Sequence, residues 1–378
     1  MSNDTSGWRC QQGSYLVIFG GLLLVLAGFA VLAIDIGRIF IVRSELQNAA
    51  DAAALSGANC LTWQSGSGAT DCGPLKAATL NWTRAAANAQ AQLSQNQVDN
   101  RSISSSDGGH VITAGYWNLL TRSASGGSLS TSFSPLTTYD KPAISVKVSK
   151  ATGQNGGPIL MLTRLMFGGS DVPMSATAVA VISSPGSVLS GSLIPMAINQ
   201  CLYDTYWNSS TNSPVTAPNN SAINGVPQVS GQAVVFRIGS SYHYGSCDSG
   251  QWTTFGVNTN SASDLKGLIN NGNSTAMSIG DATYIQSGTK TSAYNDLLSQ
   301  YPMPAGADVL VPVVNYPTGL DSVGASIPIV AFALFHITDI QGGSGKYIQG
   351  YFKSGLSVSG SSGIGPSYGA YTPPRLAY

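Results

Sequence analysis

SYLVIFGGLLLVLAGFAVLAI, residues 14–34, carries no charge, and none precedes it as far back as Gln11. A helix needs about 20 apolar residues to cross the hydrocarbon core of a bilayer. The apolar region of a cleavable signal peptide is about 7–15 residues long and ends at an Ala-x-Ala site. This run is longer and no such site follows promptly, so a retained membrane helix over 14–36 is expected. The helical reading does not stop there. SELQNAADAAALSGANC, residues 44–60, continues it, and no strong breaker separates Tyr15 from Asn59. At about 100° per residue, Ile39, Val42, Leu46, Ala49, Ala50, Ala53 and Gly57 share one stripe. Arg43, Ser44, Glu45, Gln47, Asn48 and Asp51 occupy the remainder. Small residues on a stripe let a second backbone come close. The stripe is therefore read as a helix-packing interface, filled by a neighbouring chain or by the protein's own sheet.

Composition narrows the class. Only 9% of the 378 residues are charged, against about 25% in an ordinary soluble domain. The net charge is +0 with no basic block, so the electrostatic footprint of a nucleic-acid binder is missing. Hydroxyl-rich and amide-rich polarity suits a secreted or envelope protein. Cys10 precedes the apolar run, whereas Cys60, Cys72, Cys201 and Cys247 follow it. A membrane between a reducing and an oxidising space accounts for that split. It puts the N-terminus in the cytoplasm, although Arg9 on one side and Arg38 and Arg43 on the other leave orientation open by charge alone. Local spacing suggests Cys60 with Cys72 and Cys201 with Cys247, the other pairings staying open.

AIDIGRIFIVRSELQNAADAAALSGA, residues 33–58, resembles the N-terminal signature of the Tad (tight adherence, or Flp) pilus-assembly TadE/TadG-like family. The order carries the likeness: apolar span, Asp-x-Gly-Arg, then Leu-Gln-Asn-Ala-Ala-Asp-Ala-Ala-Ala. Downstream, GYWNLLT, AISVKVSKA and LTRLMFGGSDVPMSATAVAVI are similar to that family's succession of strands, so the resemblance covers about the first 185 residues. CDSGQWTTFGVN, IQSGTKT and YGAYTPPRLA resemble the C-terminal region of some TadG-like proteins. The resemblance implies a single-pass envelope protein that assists assembly or anchoring of a pilus. Two features depart from it. Prepilins of the system carry a glutamate five residues after the processing glycine, whereas Ile18 stands five after Gly13. The Asp-x-Ser-x-Ser metal loop of some TadG-like proteins is absent, so no metal ligand is carried over.

The rest of the chain reads as two regions. An alanine-rich helix is expected over 74–93 and a strand beginning at 110–113. Ile144, Val146 and Val148 alternate with Ser145, Lys147 and Ser149, as in a half-buried strand. A short helix over 158–167 and a strand over 174–182 complete a helix-on-sheet module. SSPGSVLSGS, residues 183–192, reads as a Ser/Gly linker. Strands follow over 233–238, 282–286, 308–314, 328–337 and 346–352, with helices over 263–269 and 292–299. VAFALF lacks alternation and should be a central strand covered on both faces; YIQGYFK alternates and should lie nearer an edge. The tail from Ser354 is Gly/Ser/Pro/Tyr-rich and expected to be extended or loosely docked.

Catalytic motifs are missing. There is no His-Glu-x-x-His and no phosphate loop. His336 lies in an apolar strand and reads as a hydrogen-bonded core residue, and His110 as exposed. His243 sits near Cys247 without the paired cysteines of a zinc site. If Cys201 and Cys247 join, they gather Tyr203, Tyr206, Trp207, Tyr242, Tyr244 and Trp252, with Asp204, Asn208, His243 and Asp248 among them. Such rings form either a candidate ligand patch for surface glycans or a satellite core over the disulfide.

The expected protein is therefore α+β: a long N-terminal membrane-spanning helix, a pilin-like module of helices on an antiparallel sheet, then a mainly β C-terminal domain. Its boundaries are 1–13 (cytoplasmic), 14–36 (span), 37–182 (periplasmic module), 183–192 (linker), 193–353 (β domain) and 354–378 (tail). It is expected to be no enzyme and to hold no cofactor or metal. Its partners are the lipid bilayer and other pilus or pilus-assembly proteins, with no nucleic acid. The expected location is the bacterial inner membrane, with the bulk periplasmic or exported with the pilus. An adhesin-like head on the stalk is the alternative.

Overall fold

A single helix, α1 (Gln12–Asn59), runs for 48 residues, about 72 Å at 1.5 Å per residue. The computed structural model describes residues 12–62, 72, 80–103, 106–239, 245, 247, 250–288, 290–317, 319–320, 324–343 and 345–378. Two halves of α1 meet different surroundings. Apolar side chains from Tyr15 to Ile34 are largely exposed, and this is the one helix among the described residues long and apolar enough to cross a membrane. From Val42 onward one face is buried in protein.

What buries it is a second helix and a sheet. α2 (Trp82–Ser94) begins where the Asn81 side chain accepts the Arg84 backbone N–H at 3.0 Å, and it buries Ala85, Ala89 and Leu93 at four-residue spacing. The first part of the helix expected from Pro74 lies outside the described residues. The sheet contains β1 (His110–Asn118), β2 (Ser123–Ala124), β3 (Asp140–Lys150) and β4 (Met174–Val181). Neighbours are antiparallel, in the order β4-β3-β1-β2. The expected alternation holds: Ile144, Val146 and Val148 enter the core beneath the helices while Lys147 is exposed. His110, expected to be exposed, is half-buried at the start of β1.

The second domain is built on a larger sheet. Its strands are β5 (Met196–Asn199), β6 (Phe236–Ile238), β7 (Gly250–Trp252), β8 (Ala282–Ile285), β9 (Ala307–Val314), β10 (Ala325–Gln341) and β11 (Tyr347–Phe352). The order is β6-β11-β10-β9-β5-β7, with β8 pairing the first residues of β10. The run Ala331–Phe335 is buried on both faces. Ala331, Ala333 and Phe335 belong to one core and Phe332 to another. That is the central strand expected from its missing alternation, and β11 lies one strand in from the edge. Two helices pack Leu265 and Ile269, and Ala293, Tyr294 and Leu297, into the first of those cores.

Residues 183–192 are no free spacer. Ser183 and Ser184 are buried; Thr372 N–H donates to Ser183 O at 2.6 Å, and Ser183 N–H donates to the Thr372 hydroxyl at 3.2 Å. The physical reason is the tail, which returns across this segment instead of lying loose. Its last strand, β12 (Arg375–Leu376), pairs antiparallel with Val181 and Ala180 of β4, giving the first module's sheet a fifth strand. Tyr371 inserts into that module's core.

Lys141, fully buried on β3, donates from Nζ to the tail carbonyl of Gly365 at 2.8 Å. Burial disfavours its ammonium, only partly offset by the Asp140 charge, and the pKa is lowered to about 8. The unfolded lysine keeps its proton up to about pH 10.4, so above about pH 8 the unfolded state holds the extra proton. Stability should therefore rise as pH climbs from about 8 to about 10, by at most about 3 kcal/mol. Urea unfolding across that range should show the rise in the native protein and lose it in Lys141→Met. A flat native profile would refute this.

Candidate functional site

Asp35, Arg38, Glu45, Asp99 and Lys150 lie where α1 leaves its exposed apolar run. Asp35 is the first charge after that run, and it is fully buried. Its two carboxylate oxygens accept the backbone N–H groups of Leu162 and Thr163 at 2.8 and 2.7 Å. These open the short helix α3 (Thr163–Phe167), which has no side-chain cap of its own. Asp35 thus caps a helix from another part of the chain.

One turn on, Arg38 faces the same way. Its guanidinium donates to the Leu160 carbonyl at 3.0 Å and to both carboxylate oxygens of Asp99 at 3.0 Å. Asp99 and Asn100 take positive φ, 54° and 58°, in the tight turn between the two-residue strands 97–98 and 101–102. Asp and Asn are the non-glycine residues that tolerate this conformation best. Buried Lys150 approaches Asp99 at 3.4 Å and donates to Asn155 O, while the Asp99 N–H donates to Glu45 at 2.7 Å. Burial opposes charge on Asp99, but hydrogen bonding and charge from Arg38, with Lys150, outweigh it and hold the carboxyl below its usual range. Charge-assisted bonds of this kind are the stronger ones. The Asp-x-Gly-Arg motif thus fixes the angle at which the folded body meets the helix. In the sequence these roles leave one signal, two charges three apart at the end of an apolar run.

The small-residue stripe is filled from within the chain. Val42, Leu46, Ala49, Ala50 and Ala53 are buried, with Ile39 at the margin of the same core. Gly57 lies so close to α2 that a Cβ built on it would stand 2.9 Å from Ala89 Cβ and 3.0 Å from Ala85 O. Asn88 seals the contact by donating to Ser56 O at 2.9 Å. A neighbouring chain could enter this stripe only by opening the core. Ala50→Leu or Ala53→Leu should cost about 1–3 kcal/mol of stability through overpacking. Gln47→Ala, on the half-buried side, should stay within about 0.5 kcal/mol. Equal denaturation midpoints for all three would contradict this packing.

Both expected disulfides are present, Cys60–Cys72 and Cys201–Cys247, with Cα separations of 5.2 and 5.6 Å. The candidate ligand patch is corrected by burial. Tyr203, Tyr206, Trp207 and Trp252 are at most 8% exposed and belong to the main core of the β domain. Tyr203 stacks on Tyr368 of the tail and Tyr206 on Phe236, leaving no free face on either ring for a sugar. Tyr242, Tyr244, His243 and Asp248 lie outside the described residues. His336 is not a core residue either. It is half-buried and contacts Asp308 at 2.6 Å, and Lys353 donates to the other Asp308 oxygen at 2.8 Å. This cluster ties β9 and β10 to the residue that follows β11. Among the described residues no group of His, Cys, Asp or Glu could hold a metal ion.

Comparison with known families agrees with the signature read from α1. Residues 13–59 match the family described as Flp pilus-assembly TadE/G-like, and residues 65–180 match the family described as Tad-like Flp pilus-assembly. Both matches end within the first module, so the β domain stands outside them. Comparison with curated proteins gives no match, and comparison with solved structures gives none either.

Proposed function

We propose that this chain, whose residues 13–180 carry two Tad-type Flp pilus-assembly families, is a membrane-anchored TadG-like structural or assembly component of such a pilus. The single observation that carries the reading is α1. One helix passes without interruption from an apolar, exposed half into a half that is the core of a folded module. A rigid rod of this kind holds a body at a set distance and angle from a bilayer, and the Asp35 and Arg38 contacts at its midpoint support that use. The work is mechanical, done through protein contacts.

The N-terminus is assigned to the cytoplasm and the body to the periplasm. The disulfides support this, since both lie on the body's side of the span and need an oxidising space. Alkaline carbonate washing of membranes should leave the full-length protein in the pellet, with an N-terminus at or near Met1. Protease added to spheroplasts should digest the body, while protease added outside inverted inner-membrane vesicles should spare it. A soluble form beginning after Gly13, or a body protected in spheroplasts, would sink the assignment.

A further inference from the structure

We propose that residues 159–167 are a second membrane contact, an apolar foot seated in the same leaflet from which α1 emerges. The proposal rests on reading α1 as a membrane span. Leu160, Leu162 and Leu165 are 59%, 40% and 85% exposed, although the segment is ordered by specific bonds. Its base is closed by Ile159 and Val172, whose backbones exchange hydrogen bonds at 2.9 and 3.1 Å, and Ile159 itself points into the core. The leucines therefore face outward because the loop is held that way.

Position names the occupant. Asp35 accepts from Leu162 and Thr163, and Arg38 donates to Leu160, so the foot is bolted to the turn where the apolar run ends. Beyond Asp35 the exposed side of α1 stays apolar through Ile36, Phe40 and Ile41. The Asp35 and Arg38 bonds hold the foot beside the end of the apolar run, where lipid surrounding that end of the span would meet it. An exposed leucine cluster of this kind is costly in water. Arg164 on α3 is half-exposed and paired with Asp171 at 2.7 Å, and a long arginine beside an apolar foot can carry its head to the lipid phosphates. Two points of contact, the span and the foot, would stop the body swivelling about α1.

The test uses the full chain with Cys10→Ser, reconstituted singly in phosphatidylethanolamine/phosphatidylglycerol nanodiscs. Nitroxide labels go on Leu165→Cys, Leu160→Cys, Leu24→Cys in the span, and Leu120→Cys. Leu120 is 69% exposed beyond the end of β1 that lies away from Lys150. Collisions with oxygen should exceed those with a water-soluble nickel chelate at 165, 160 and 24, and the ratio should reverse at 120. Labels at 165 and 160 that read like 120, while 24 reads as lipid-facing, would overturn the foot and leave the span standing. Labels shielded from both reagents would mean that protein covers the foot, which also overturns it. A water-exposed label at 24 would sink the span and the foot with it.

Discussion

Cutting the chain after Lys353 should unfold the first module as well as the β domain, although the cut lies more than 170 residues beyond β4. The removed segment supplies β12, the Tyr371 ring in the first core, the carbonyl that receives Lys141, and the Tyr368 ring stacked on Tyr203. Tyr371 is 2% exposed. Its replacement by alanine alone should cost about 3–5 kcal/mol, as for other large buried aromatics. Whole domains are stable by only about 5–15 kcal/mol, so losing the ring together with a strand and a buried ammonium's partner exhausts the margin. The truncated chain in nanodiscs should lose its near-ultraviolet circular dichroism and be cut by protease within both domains. Tyr371→Ala should be folded with a lowered midpoint. A truncated chain with a native spectrum would mean the tail is an accessory.

Trp207→Ala is expected to lower stability by about 3–5 kcal/mol. The ring is 5% exposed, lies 5.2 Å from Tyr203 and follows directly on the helix that carries Cys201. Ser209→Ala, two residues on and exposed, should change stability by less than about 0.5 kcal/mol. An unchanged melting temperature in Trp207→Ala, combined with lost retention on a glycan array, would restore the ring as a binding platform.

Much of this architecture could be read from the residues because its signals were local. An uncharged run longer than a bilayer, a stripe of alanine at helical spacing and the alternation at Ile144, Val146 and Val148 each depend on neighbours within one element. VAFALF was legible for the opposite reason, since a strand buried twice has no polar face to show. Three things were hidden because they depend on pairs far apart. Nothing in PRLAY says that it pairs with a strand that ended almost two hundred residues earlier. Nothing in SSPGSVLSGS separates a spacer from a segment overlain by the tail, as serine serves both. The aromatic cluster near Cys201 had the composition of a platform and of a core alike, and only the burial of Trp207 decides between them. Asp35 was visible as a charge but not as a cap, because its acceptors' partners lie 127 and 128 residues away.

The strap has a temporal meaning as well. A ribosome makes β4 almost two hundred residues before it makes residues 375–378. Until then the Val179–Val181 end of β4 lacks the backbone bonds it later makes with Arg375, Leu376, Ala377 and Tyr378. An open strand edge invites pairing with whatever extended chain is nearest, and closing it from so far along the sequence is slow. Folding thus passes through an interval in which β4 has been made and its outer edge is still unpaired, and the arrival of residues 375–378 ends it.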